Sequence, residues 1–473
     1  MTGLLERVLG LWRSRSVAIA KGYSFVLHLR KGVNLPLRPA GRSGMVPAAA
    51  RTTETTMDTR RSILTQLAGR PMSLAGLAGA TGASLPTLRR AVHELTSSRW
   101  IRVVGREEAT GGRPANLFGL DDDVLTLVGV HLAHPGMRLV ATDLTGRVLD
   151  DVVPPKLYDL EPDAVHRAVL AFLADLRRRR PHRRVVGLGI ATPGFIDRDT
   201  GSVVTIGRVP NWNNLPLAER LREATDLHVT IGNDLDALAT AEFGLGEEAR
   251  TYAYVGYAEG VKFTMFLDGA PYTGPFGNAG LVGPALLAGD GDVGDAELLR
   301  MHGLVSSFER RAAGTGRRPP ERHASSQRTP AEVRARLDEI LGAAAQGEQP
   351  AQTVIDRMLG VLGDQVAAFV HLLQPELLVI GGGLAGAPSV LLDRLEANVR
   401  RRLPTLLDNA LIVRRARVVE PEATAVGATR VFLQRFLTEE TVPVLDAGAA
   451  TAHEASPLRG ATAVGTVGHD RSS

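Results

Sequence analysis

The chain of 473 residues contains no cysteine. That absence excludes disulfides, zinc-thiolate sites and cysteine nucleophiles, and any metal would need histidine and carboxylate ligands. Also missing is an uninterrupted apolar run of the roughly 18 residues that a membrane helix needs; Arg, Lys, Asp or Gly interrupts every candidate. The opening stretch "MTGLLERVLGLWRSRSVAIAKG" carries Glu6, Arg7, Arg13 and Arg15 within its apolar run, so it lacks a signal-peptide core and a cytoplasmic location is the default expectation. Acidic residues are scarce at this end too. Within residues 1–50, Glu6 alone stands against Arg7, Arg13, Arg15, Lys21, Arg30, Lys31, Arg38 and Arg42. Such an arm suits phosphate or anionic lipid, or is an unstructured extension. Met45 and Met57 stand just ahead of the first convincing helix; residues 1–56 are read as a basic extension, and residues 1–50 are assigned no function.

What is present begins with helices. In "TMDTRRSILTQLAGR" the residues Ile63, Leu64 and Leu67 fall at helical spacing. "MSLAGLAGATGASLPTLRRAVHEL" predicts a second helix with Leu74, Leu77 and Ala78 inward, a turn at Thr81-Gly82, and a third helix capped by Ser84 with Pro86 in its first turn. Leu88, Val92 and Leu95 share one face of that helix, leaving Thr87, Arg89, Arg90 and His93 toward another. "WIRVVGREEATGGRPANLFGL" then reads as two strands around a Gly-rich hairpin. Helices alone would suit a generic bundle with a solvated basic face; with the hairpin they make a winged helix-turn-helix over residues 57–120. A short helix with small and basic groups on its exposed face suits the DNA major groove, and a wing arginine suits phosphate or the minor groove. Ser84, Thr87, Arg89, Arg90, His93 and Arg113 are the candidate DNA contacts.

Residues 121–436 alternate strand and helix signals as an α/β chain. Runs such as "VLTLVGVHL", "MRLVATDL" and "RRVVGLGIATPG", with the helical stripe Val165, Val169, Phe172 and Leu176, predict one lobe over 121–246. A second set, from "TYAYVGYA" through "TVIDRMLGVLGDQVAAFVHLL" to "LIVRRARVVE", predicts another over 247–436. Three antiparallel strands followed by helix and parallel strands suggest a two-lobed, actin-like or hexokinase-like (ribonuclease H-like) architecture. An Arg-, Pro- and Ser-rich stretch, 310–329, is expected to be a flexible insertion, and 437–473 a disordered tail.

The pieces "TGGRPANL", "GIATPGFID", "VPNWNNLPLAERL", "GNDLDALATAEFG", "FLDGAPYTGPFGNAG", "QPELLVIGGGLAG" and "EATAVGATRVF", in this order and spacing, resemble the ROK family of repressors, open reading frames and sugar kinases. The resemblance spans about 58–435. Where ROK kinases carry an Asp-x-Gly-x-Thr-Lys phosphate loop, this chain has "HLAHPG", with His131, Ala133, Pro135 and Gly136. The kinases' second phosphate cradle is a glycine run; here "AEGVKFT" keeps Gly260 alone, and Lys262, Phe263 and Thr264 are expected to put side chains where phosphates would pass. "IGGGLAG" is expected to close the fold rather than hold adenine. The family's zinc histidine is Pro284 and a sugar-binding Glu is Leu281, so neither metal nor cofactor is expected.

What remains of the sugar pocket is Asn233 and Asp234, with Gly194 and Asn211 as further candidate ligand contacts. Asp234, the vestigial base position, has three open roles: general base, hydrogen-bond acceptor for a ligand, or helix N-cap. The resemblance implies a regulator, a repressor of double-stranded DNA operators, with a catalytically inactive kinase-like domain that dimerises or tetramerises and responds to a sugar or other small molecule. The alternatives are an ATP-dependent sugar kinase with an appended DNA-binding domain and a ligand-independent DNA-binding scaffold.

Overall fold

The computed structural model describes residues 48–107, 114–133, 136–154, 161–206, 210–244, 249–258, 260–282, 293–314, 330–418 and 422–438. Met1–Arg51 and Thr52–Ser473 form two units, and the N-terminal module from Thr52 onward and both lobes lie in the second.

The module is built from α1 (Ala48–Gly69), β1 (Met72–Ser73), α2 (Leu74–Thr81), α3 (Leu85–Ser97), β2 (Ile101–Arg106) and β3 (Asn116–Leu120). Its three strands pair in the order β1-β3-β2. Ser84 accepts from the Thr87 amide and starts α3, whose Leu88, Ala91, Val92 and Leu95 are buried. Gly82, at φ +69°, ends α2 in the left-handed region that a side chain disfavours. The first helix starts earlier than the sequence pattern suggests, at Ala48, inside the stretch read as an extension. The hairpin tip, 108–113, lies outside the described residues and Arg113 with it.

Lobe 1 holds β4 (Leu125–Ala133), β5 (Gly136–Thr142), β6 (Val148–Val152), α4 (Pro162–Arg179), β7 (Arg184–Thr192), β8 (Phe195–Asp197), β9 (Ser202–Thr205), α5 (Leu217–Thr225) and β10 (His228–Asn233). Helix α6 (Asp234–Phe243) leads to lobe 2: β11 (Tyr252–Tyr257), β12 (Val261–Leu267), β13 (Ala270–Tyr272), α7 (Val293–Leu298), α8 (Met301–Ala312), α9 (Pro330–Ala345), α10 (Ala351–Leu373), β14 (Leu377–Gly382), α11 (Ser389–Arg400), α12 (Thr405–Ala410) and β15 (Ile412–Arg415). The main sheets are ordered β10-β7-β4-β5-β6 and β13-β12-β11-β14-β15. Each is three antiparallel strands joined to two parallel ones. The same topology thus occurs twice, as the actin-like reading requires. β4 and β11 are buried along nearly their whole length, because helices cover both faces of a sheet with parallel crossovers.

The last helix, α13 (Ala423–Thr438), departs from the sequence assignment. Read in sequence as the end of lobe 2, it packs instead on lobe 1. An added Cβ at Gly129 in β4 would overlap the Ala425 carbonyl, and one at Gly427 would overlap the Ala237 carbonyl of α6. Bare backbone at these two positions lets α13 lie directly against the sheet and α6. The helix then continues into the module, where Phe432, Leu433, Phe436 and Leu437 join one apolar cluster with Leu64, Leu88, Trp100 and Leu120. Helix α8 reaches Ala312, so Arg310 and Arg311, read as the start of the insertion, are helical, while 315–329 lie outside the described residues.

Candidate functional site

Two lobes of this topology leave a cleft where the ends of their central strands face each other. A cavity of about 400 Å³ occupies it. Lobe 1 contributes His131 near the end of β4, and α6 contributes Asp234 at its first turn; the other side is made by Tyr257, Ala258 and the turn Gly382-Gly383 after β14. Arg334 of α9 and Thr424 of α13 complete its polar lining.

Asn233, not Asp234, caps α6: its Oδ1 accepts from the Leu235 amide at 3.0 Å. Its Nδ2 donates to the Gly194 carbonyl at 3.3 Å, and Asn233 is buried. Gly194, at φ +85°, turns the chain after β7. Of the four sequence candidates for ligand contact, Asp234 lines the cleft. Asn233 and Gly194 support it from behind, and Asn211 is exposed elsewhere, donating to Glu161 Oε1 at 3.1 Å.

Asp234 follows the cap as the first residue of the helix, where its Oδ1 also accepts from the Leu235 amide at 2.9 Å. Burial pushes its carboxyl up to about 6; the Leu235 amide pulls the other way, Asp236 adds to the rise and Lys262 opposes it. Burial, with help from Arg138, pulls His131 down to about 4. At neutral pH the cleft therefore presents a neutral imidazole, a carboxyl that titrates close by, a hydroxyl and a guanidinium. Arg334 is held by Asp338 one turn on, at 3.2 Å. Such a set can bind a small polar ligand through paired donors and acceptors.

Lys262, Phe263 and Thr264 do not project into the cleft, contrary to the sequence expectation. β12 is a regular strand, so successive side chains point to opposite faces. Phe263 stacks on Phe369, centroids 4.5 Å apart. Lys262 is fully buried, 3.4 Å from Asp236 and donating to the Ala279 carbonyl at 2.5 Å, while Thr264 donates to Asp236 at 2.8 Å. The turn between β11 and β12 is closed by the Ala258 amide on the Gly260 carbonyl at 2.8 Å. At the end of β14, the Gly382 amide donates to the Tyr254 hydroxyl at 3.1 Å.

Leu281 sits in a β-bridge with Lys262, and Asn278 spends both ends of its amide on the Ile196 backbone. Pro284 lies outside the described residues. In the module, Ser84, Arg89, Arg90 and His93 are exposed and Thr87 is half-buried. Ser84 and Thr87 join their hydroxyls at 2.8 Å. Arg90 pairs with Glu94 at 3.0 Å, and Arg60 reaches the same carboxylate at 3.2 Å.

Sequence reasoning missed Arg334, Thr424 and the Lys262-Asp236 pair. Thr424 lies in "EATAVGATRVF", a stretch read for its fold alone. Arg334 follows the insertion in a helix with no motif, and only the three-dimensional path brings it to the cleft.

Residues 128–435 match the ROK family. The chain is 30% identical over 324 residues to a transcriptional regulator of Mycobacterium bovis, covering 65% of this chain and 70% of that one. It is also 25% identical over 281 residues to a glucokinase of Thermotoga maritima, covering 58% and 87% respectively. A solved ROK family transcriptional regulator, a homologue of the Escherichia coli MLC protein, has the same fold. It superposes with a TM-score of 0.65 at 20% identity, covering 81% of this chain and 98% of its own. Among the described residues no helix is long and apolar enough to cross a membrane.

Proposed function

The chain belongs to the ROK family, and from that premise we propose that it is a transcriptional regulator, a repressor, whose kinase-like domain senses a small molecule without phosphorylating it. The N-terminal module binds double-stranded operator DNA through the exposed face of α3, with Ser84, Thr87, Arg89, Arg90 and His93, and through Arg113 on the wing. A homodimer presents two modules to a two-fold operator.

The observation that carries this reading is the course of α13. Its first turn puts Thr424 in the cleft, and its last turns put Phe432 and Phe436 in the core of the module. The 16 residues between Ala423 and Thr438 make a rod about 24 Å long at 1.5 Å per residue. A ligand that favours one disposition of the lobes moves both ends of this rod, and so biases the pose of α3. The effector is a sugar or another small polar molecule held by Asp234, His131 and Arg334. Loss of phosphoryl transfer is supported by the replaced loop at His131 and by the short Ala258-Gly260 turn, which offers few amides to phosphate oxygens. The test is selection of fragments of its own genome by the purified protein, followed by titration of sugars against the selected DNA. Selection of no preferred fragment would end the proposal.

One observation favours the kinase alternative. A carboxyl raised to about 6 at the tip of an α/β strand is close to what a general base needs. A coupled ATPase assay across hexoses and amino sugars separates the two readings: turnover that disappears in Asp234→Asn would establish the kinase.

A further inference from the structure

An apolar side chain stands at the tip of α3. Leu85, the first residue of that helix, is 46% exposed and lies outside the apolar cluster that holds the module together. The helix is anchored by another face, through Leu88, Ala91, Val92 and Leu95. A single exposed leucine is ordinary on a protein surface. Its position on this helix is what gives it meaning.

The polar side chains around the same turn are engaged in holding the helix. Ser84 Oγ accepts from the Thr87 amide at 3.4 Å, and the two hydroxyls meet at 2.8 Å. The outer surface of the turn is left to Leu85 and Pro86, both exposed. One turn on, Arg89 is exposed with no ion pair among the described residues. Residues four apart share a helix face, so Arg89 stands on the side of Leu85, about 6 Å along the axis at 1.5 Å per residue. A guanidinium there draws this side of α3, and Leu85 with it, toward the polyanion.

In a helix-turn-helix module the N-terminal residues of the recognition helix meet base edges. A leucine can neither donate nor accept a hydrogen bond there. The apolar group that base edges present in the major groove is the C5 methyl of thymine. We infer that Leu85 reads that methyl, and is a specificity-determining residue beside the polar and basic contacts of α3. The inference rests on α3 being the helix that enters the operator.

The test uses the fragment that the full chain selects from its own genome, synthesised with deoxyuridine in place of each thymine in turn. This removes one methyl and keeps the base pair. The wild type should lose about fourfold in affinity at one thymine of each half-site, the worth of one buried methyl. Leu85→Ala should be indifferent to deoxyuridine at that thymine. Each protein is compared with itself on two DNAs, so a partly unfolded variant does not disturb the ratio. If deoxyuridine weakens wild-type binding at no thymine, or weakens Leu85→Ala equally, the assignment is overturned while the regulator reading stands. Selection of no preferred fragment would end the regulator reading and this assignment with it.

Discussion

Trp100 of the N-terminal module stacks on Phe436 of α13, ring centroids 5.6 Å apart and planes 16° from parallel. Both rings are almost fully buried, and His228 of β10 meets Phe436 edge-on at 5.6 Å. The module is therefore joined to lobe 1 by shared core as well as by the chain between them. Phe436→Ala should destabilise the protein by about 3–5 kcal/mol, the usual cost of emptying a buried aromatic site. Phe436→Leu should cost less, losing chiefly the ring contact, about 0.5–1.5 kcal/mol. Denaturant melts followed by tryptophan fluorescence check both. Equal stability of wild type and Phe436→Ala would mean that the module does not pack on this helix.

Asp234 and His131 face one cavity with opposite pH dependence. For Asp234 the folded value, about 6, lies above the ordinary 3.8, so the native state favours the protonated carboxyl. Its contribution is present at low pH and is lost as pH rises from about 4 to 6. Two pH units correspond to about 3 kcal/mol. Asp234→Asn should therefore stabilise the protein at pH 7.5 by up to that amount, and by little at pH 3.5. For His131 the folded value, about 4, lies below 6.5, so its contribution is present above pH 6.5 and is lost as pH falls toward 4. His131→Gln should become progressively more stable than wild type over that fall. Chemical denaturation of the three proteins between pH 3.5 and 7.5 gives the two difference curves. Curves sloping the same way would contradict this assignment.

Lys262 and Asp236 form a buried pair 3.4 Å apart. Removing one partner leaves the other charge without compensation in the interior, which costs about 3–5 kcal/mol. Lys262→Met and Asp236→Leu should each fall in that range. The double substitution should lose much less than their sum, because no buried charge is then left unpaired. Additive losses in the cycle would mean that the pair is not coupled.

Local signals carried much of this architecture. Ser84 followed by Leu88, Val92 and Leu95 announces a capped helix with one buried face, and the β-rich runs announce the strands of both lobes. What could not be read is where a buried face goes. Phe432 and Phe436 mark α13 as amphipathic, yet nothing local says that Gly129, about 300 residues earlier, receives the Ala425 carbonyl. The same limit applies at the site. "IGND" was read with Asp234 as the cap candidate, and only the backbone path shows Asn233 accepting from Leu235 while Asp234 lines the cleft. Asn211 looked like part of that pocket because of the motif around it, but an exposed contact with Glu161 holds it elsewhere. Lys262 was read as an intruder in the phosphate path, although strand alternation alone could have turned it toward α6.

Arg89 and Arg90 stand side by side on the exposed face of α3 but are not equivalent. Glu94 holds Arg90 at 3.0 Å, whereas Arg89 has no ion pair among the described residues. A guanidinium already paired must exchange a carboxylate for a phosphate, so it gains less on binding DNA. Arg89→Ala should consequently weaken operator binding more than Arg90→Ala does. Each arginine that neutralises a phosphate adds about 0.9 to the slope of log affinity against log salt, so the double variant should flatten that slope by about 0.9 to 1.8. Glu94→Gln, which releases Arg90, should tighten binding and steepen the slope. Gel-shift or anisotropy titrations of the selected operator at several salt concentrations check all four proteins. A double variant with wild-type affinity and slope would remove α3 from the DNA interface.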